Sequence, residues 1–302
     1  MFKIFRIRQY YLGLVRAIGI MGILIKYFIV EWMSEHRFFM RFIPKQYKRN
    51  GIVLSDPERL RTVIEELGPT FVKFGQILAD RPDLISEKLR KELKKLQSEV
   101  EEFDHDLAIR EIEEELGGPI DNFFQSFEAK CIGSASIGQV YKAKLKSGED
   151  VVVKIQRPNI LAKIKLGLQI LAFLSTELVK EYPGLNAVDI VGVVNEFGQT
   201  LLKELNYLNE AANAARFGEM FRHSAICKIP KVYNDLTTSK MLVMEYVEGI
   251  SPDNVQLLLQ NNIDPKEIAN NGAVILLEMI FKHGFFHADP HAGNLFILSD
   301  KR

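Results

Sequence analysis

Chemistry-bearing residues concentrate near the end of this 302-residue chain, in His287-Ala288-Asp289-Pro290-His291-Ala292-Gly293-Asn294. The spacing H-x-D-x-x-x-x-N suits phosphoryl transfer: the carboxylate takes or orients a hydroxyl proton and the amide oxygen holds magnesium. Other readings stay open. His287, Asp289 and His291 alternate along the chain, and imidazole with carboxylate is a ligand set for transition metals. A solvated polar turn would need no function at all. Farther upstream, Val151-Val152-Val153-Lys154 closes an apolar run. A lysine on a buried strand can clamp phosphates, but only if an acid matches its charge, because an uncompensated buried cation costs several kcal/mol. Strands often end in lysine, so this tetrapeptide gains weight only from its companions.

One companion is Gly133-Ser134-Ala135-Ser136-Ile137-Gly138-Gln139-Val140. It stands where a glycine-rich phosphate loop, G-x-G-x-x-G-x-V, would precede the lysine strand. Serine and alanine replace most of the glycines, which makes the loop stiffer and its amides slower to approach phosphates.

Such parts require a scaffold of strands and helices in a definite order. FFQSFEAKCIG, QVYKAKL and DVVVKIQ read as strands, the last two joined by the turn Lys146-Ser147-Gly148-Glu149. Helical stretches over 161–180 and 188–222 follow, then the strand runs KIPKVYNDL and KMLVMEYV, then helices from Asn254 onward. The helix over 265–282 leads into the His287 loop, and Leu295–Leu298 reads as a short strand after it. The first ~118 residues read as all helical. Ser55-Asp56-Pro57-Glu58 is a capping box with proline in the first turn, while Asp104 opens and Gly117-Gly118 closes DHDLAIREIEEELGG. In SEKLRKELKKLQSEV, Leu89, Leu93, Leu96 and Val100 share a face. The order is helical extension, strands, long helix, strands, helices, which is the layout of a protein kinase. The expected fold is therefore α+β, a kinase-like fold with an all-helical amino-terminal extension and an incomplete second lobe. Its expected parts are a basic segment over 1–50, the extension over 51–121, a strand lobe over 122–249 and the start of a helical lobe over 250–302.

Composition narrows the function classes. Thirty-nine basic and 39 acidic residues cancel, which excludes a generally cationic nucleic-acid binder. Cys131 and Cys227 stand apart without a C-x-x-C pattern, so a reducing, cytoplasmic setting is expected and no zinc ribbon is supported. Residues 1–50 carry ten Lys/Arg against Glu31 and Glu35. Within them the apolar stretch from Tyr10 to Trp32 is interrupted by Arg16 and Lys26, so it fits a helix lying on an anionic membrane surface better than a bilayer span. A helix packed on the body of the protein is the alternative.

These motifs together resemble the UbiB/AarF family of atypical protein-kinase-like proteins, over residues from about 50 to the end. Lys73-Phe74-Gly75-Gln76, set in ELGPTFVKFGQILADRPDL, matches the family's K-x-G-Q. Gly133-Ser134-Ala135-Ser136 is similar to its alanine-rich loop, Glu204-Leu205-Asn206-Tyr207-Leu208-Asn209-Glu210 to its E-x-D-x-x-x-E pattern, and residues 287–294 to its H-A-D-P-H-P-G-N.

The resemblance implies ATP and magnesium as cofactors and ATP hydrolysis or small-molecule phosphoryl transfer as activity, in ubiquinone or other isoprenoid lipid metabolism at a membrane. A catalytically inactive, nucleotide-gated binding module is the other implication. Asp289 is implied as the catalytic aspartate, Lys154 and Glu210 as the clamp and its orienting partner, and Asn294 as a magnesium ligand. Gly133, Ser134, Ala135, Ser136, Glu245 and Val247 complete the implied nucleotide-binding set. Lys73 and Gln76 are implied to fold over the site and hinder protein substrates, acting with Glu204 and Asn206. Three departures bear on this. Asn206 replaces an aspartate, Ala292 replaces a proline, and Asp300 is not followed by the Phe-Gly of the kinase D-F-G segment, so weak nucleotide binding and slow turnover are expected.

Overall fold

The computed structural model describes residues 52–96, 102–181, 189–288, 290 and 292–302, together with Gly19, Gly22, Ile23, Lys26, Tyr27, Lys45, Lys48 and Arg49. A short antiparallel pair, β1 (Lys48–Arg49) and β2 (Ile52–Val53), precedes the first helix. Helix α1 (Asp56–Leu67) starts at the expected capping box: the Ser55 amide donates to the Glu58 carboxylate at 2.9 Å. Gly68, at φ 94°, turns the chain straight into α2 (Pro69–Ala79). After α3 (Glu87–Leu93) and α4 (His105–Leu116), the strands β3 (Phe124–Ser134), β4 (Gly138–Leu145) and β5 (Asp150–Gln156) follow. Then come α5 (Ile160–Glu181), α6 (Ile190–Glu204), α7 (Tyr207–Met220) and β6 (Met241–Glu245). Helices α8 (Val255–Gln260) and α9 (Pro265–Leu277) complete the order, and α9 runs on into a π-helical stretch, Glu278–His283.

The described residues form two compact units. One comprises those up to Glu102, with Ser134–Gly138 and Arg157–Leu205; the other comprises Phe103–Gly133, Gln139–Gln156 and Asn206–Arg302. In the first, Ala79, Leu93 and Leu96 form a small core, with Ile64, Val72 and Leu89 packed on it. Small residues permit this packing. A Cβ on Gly75 would come within 2.6 Å of a Leu96 methyl, and one on Gly167 within 2.8 Å of the Thr70 Cβ. The glycine of K-x-G-Q is thus a packing requirement of α2.

In the second unit the sheet order is β3-β4-β5-β6, with β5 and β6 antiparallel and Lys154 opposite Leu242. Val151, Val153 and Ile155 turn one face of β5 into a core with Ala108 and Ile112 of α4. Val152 and Lys154 lie on the opposite, half-exposed face. A strand buried on both faces was the expectation for this run. The alternation corrects it and explains why a lysine is tolerated there.

Other elements are shorter than their sequence patterns suggest. KIPKVYNDL pairs only through Val232, bridged to Met244, before a 3-10 turn at Asn234–Leu236. The expected five-strand lobe therefore has four strands and one bridge, and Pro230, which has no N–H to donate, stands just before the place where pairing is confined. Leu295–Leu298 likewise reduces to an Ile250–Ile297 bridge. Leu258, Ile263 and Ile297 gather around that bridge as a second small core. Helix α9 buries no residue fully, and Val274, Leu277 and Phe281 are 47%, 53% and 82% exposed.

The expected membrane-surface segment falls almost wholly outside the described residues. Of it, Gly19, Gly22, Ile23, Lys26 and Tyr27 are helical, and Lys26 pairs with Glu66 of α1 at 3.2 Å. Among the described residues, no helix is long and apolar enough to cross a membrane.

Candidate functional site

Lys154 projects from the half-exposed face of β5 and meets Glu210, one turn into α7. The Lys154 ammonium donates to both Glu210 oxygens, at 2.9 and 2.7 Å. A matched acid was the condition for reading this lysine as a phosphate clamp, and it is present. The pair is less buried than expected, with side chains 23% and 43% exposed, so neither charge carries the cost of a dry interior. The ammonium also lies 4.7 Å from the centroid of the buried Tyr207 ring, a face that attracts cations.

The position of α7 follows from its ends. Sequence periodicity runs unbroken over 188–222, but the structure breaks the helix at Leu205-Asn206. The Asn206 side chain accepts from the Leu208 amide at 3.1 Å and so caps α7. Aspartate and asparagine cap helices about equally well, so the departure at Asn206 keeps this local function. At its other end, α7 holds the chain that leads toward the His287 loop. Phe217 stacks on Phe285 with centroids 4.8 Å apart, and the Arg216 guanidinium lies 3.8 Å from the same ring.

In the other unit, Lys73 and Glu204 form an ion pair at 3.6 Å, and the Gln76 amide donates to the Leu96 carbonyl at 3.4 Å. Both residues were implied to fold over the site, and within their own unit their side chains meet these partners. The Ser134–Ser136 loop is held by a residue that the sequence reading did not single out. The Arg157 guanidinium donates to the Ala135 carbonyl at 3.0 Å and to Ser134 Oγ at 2.7 Å, and the Arg157 amide donates to the Ile137 carbonyl at 2.9 Å. The available signal was a basic residue immediately after β5, ahead of Pro158.

Glu245 ends β6 opposite Val151, and Val247 follows it half-buried. Burial pushes the Glu245 carboxyl up, but hydrogen bonds from Lys228 and the Lys231 amide outweigh it and hold the group below its ordinary value. Its side chain is thus committed to the segment that precedes β6. Asn294 sits on an exposed 3-10 turn, Ala292–Asn294, anchored by the Ile297 bridge. Asp289 and His291 lie outside the described residues. Asp300 is engaged by Arg302 at 2.6 and 2.8 Å, and that contact holds its carboxyl below the usual range.

Among the described residues, no three His, Cys, Asp or Glu side chains gather as a metal cage. Nucleotide-bound magnesium does not need one, since one or two side chains and the phosphates themselves hold it. An oriented lysine and a side-chain amide oxygen therefore fit a magnesium nucleotide in chemistry.

Known proteins share sequence and fold with this chain. Residues 95–302 match the ABC1 atypical kinase-like domain. The chain is 40% identical over 252 residues to the probable protein kinase UbiB of Pseudomonas aeruginosa, covering 82% of this chain and 47% of that protein. It is also 40% identical over 245 residues to the uncharacterized protein slr1919 of Synechocystis, covering 81% of this chain and 43% of that one. A solved structure, the Rv3197–erythromycin complex of Mycobacterium tuberculosis, aligns with a TM-score of 0.56 at 27% identity, over 81% of this chain and 61% of the other. The chain spans about half the length of the curated relatives it matches.

Proposed function

The chain belongs to the ABC1 atypical kinase-like family, and from that premise we propose that it binds ATP with magnesium and serves ATP hydrolysis or phosphoryl transfer to a small molecule or lipid. The Lys154–Glu210 ion pair carries this reading. Lys154 neutralises phosphate oxygens. Glu210 removes the ammonium's freedom to swing, so part of the ordering cost is met before nucleotide arrives. Asp289 receives the proton of an attacking hydroxyl or water, and Asn294 offers an amide oxygen to the cation. Magnesium-ATP, when bound, supplies the phosphoryl group.

The setting we propose is ubiquinone or other isoprenoid quinone and lipid metabolism, on the cytoplasmic side of an anionic membrane to which the protein binds peripherally. The UbiB name of a relative and the basic, apolar amino-terminal stretch support it. Titration calorimetry with ATP, in magnesium and then in excess chelator, tests the core of the reading. Saturable binding that requires magnesium is expected. Heats that do not saturate at millimolar ATP would count against it.

A further inference from the structure

The turn between Thr237 and Lys240 collects contacts from three elements around the ion pair. The Ser239 carbonyl accepts the Tyr207 amide, at the first residue of α7, at 3.0 Å. It also accepts Gln156 Nε2 at 3.3 Å. Gln156 lies two residues after Lys154 on β5, is 5% exposed, and its amide donates to the Lys240 carbonyl at 3.0 Å. From behind, Glu115 of α4 accepts from Thr238 Oγ1 at 2.6 Å and from the Lys240 ammonium at 2.7 Å. Burial pushes the Glu115 carboxyl up, but these hydrogen bonds outweigh it and hold the group below its ordinary value.

One carbonyl therefore fastens the strand that bears Lys154 to the start of the helix that bears Glu210. A carboxylate from α4 fixes the turn that presents that carbonyl. We infer that Gln156 and Glu115 are positioning residues for the Lys154–Glu210 pair, acting through the Thr238–Lys240 turn. Neither belongs to the nucleotide-binding set. Gln156 keeps β5 and α7 in register, so that the ammonium and carboxylate meet without a search. Glu115 makes α4 an input: a partner or conformational change that draws α4 away loosens the pair without touching it. The consequence for nucleotide rests on the proposed ATP reading; the geometric claim does not.

Lys154 itself supplies the readout: acylation needs the lone pair of the free amine to reach the reagent, and a nitrogen held against two carboxylate oxygens is less accessible to it than a loosened one. The acylation rate of Lys154 by a small amine-reactive reagent is measured by peptide mass spectrometry on the 302-residue chain without nucleotide, with Glu210→Ala marking the unpaired limit. Gln156→Leu raises the rate about fivefold, the population change that one hydrogen bond makes. It adds nothing further in the Glu210→Ala background. Glu115→Ala raises the rate as well, and Glu115→Gln, which keeps one of the two acceptor oxygens, raises it less. If Gln156→Leu does not fold, the Glu115 pair of variants decides. An unaltered Lys154 rate in the folded variants, with only a lowered melting temperature, would overturn the inference. Coupled rates in a chain that fails to bind magnesium-ATP would remove the proposed function and leave this inference standing.

Discussion

Lys154→Met binds magnesium-ATP about 10–100-fold more weakly than the unaltered chain, measured by calorimetry. One charge-assisted contact to phosphate is worth about 1.5–3 kcal/mol, and methionine keeps the length and packing of the stem while removing the charge. The half-exposed position of Lys154 limits the collateral damage, since no dry cavity is left behind. The folded state should survive. Glu210 would lose its partner but remain 43% exposed to water, so the variant's melting temperature stays within a few degrees of the parent. A large drop in melting temperature with unchanged affinity would assign the pair to stability instead of nucleotide.

Asp289→Asn separates binding from turnover. Asparagine preserves shape and can still orient a hydroxyl through its oxygen, but it cannot receive the proton, and general-base contributions are typically about 10²–10⁴-fold. Magnesium-dependent ATP hydrolysis by the chain, however slow, therefore falls by about 10²-fold or more, to the uncatalysed background, while ATP affinity changes little. Hydrolysis that persists at the parental rate would move the reaction's base elsewhere. Asp300 is a poor substitute because Arg302 already engages both its carboxylate and its charge.

The partner of Lys154 was implied by family resemblance and not by pattern, since periodicity ran unbroken over 188–222 and hid the start of the helix that bears Glu210. Val151-Val152-Val153 fixes a strand, and the acid lies one turn past a break that Asn206 caps. Burial was harder to read. An unbroken apolar run cannot say which face meets α4, and only the register with β6 puts Lys154 on the open side. The contacts of Arg157 and Gln156 were not legible at all, since each depends on backbone carbonyls, at Ala135 and at Ser239, whose direction no residue type encodes. KIPKVYNDL misled for a related reason: its β-forming residues are real, but proline and a 3-10 turn leave a single bridging residue. The K-x-G-Q residues were recognised by resemblance, while the physical role of Gly75, contact with Leu96, needed coordinates.

In the proposed reading Lys154 contacts the phosphates of bound ATP. An acyl-phosphate derivative of ATP transfers its acyl group to a lysine lying beside the phosphates, and peptide mass spectrometry identifies which lysine has reacted. Labelling concentrated on Lys154, suppressed by excess magnesium-ATP and lost in Lys154→Met without reappearing on a neighbour, is the result expected. Labelling spread over surface lysines and indifferent to ATP would remove Lys154 from the phosphate site.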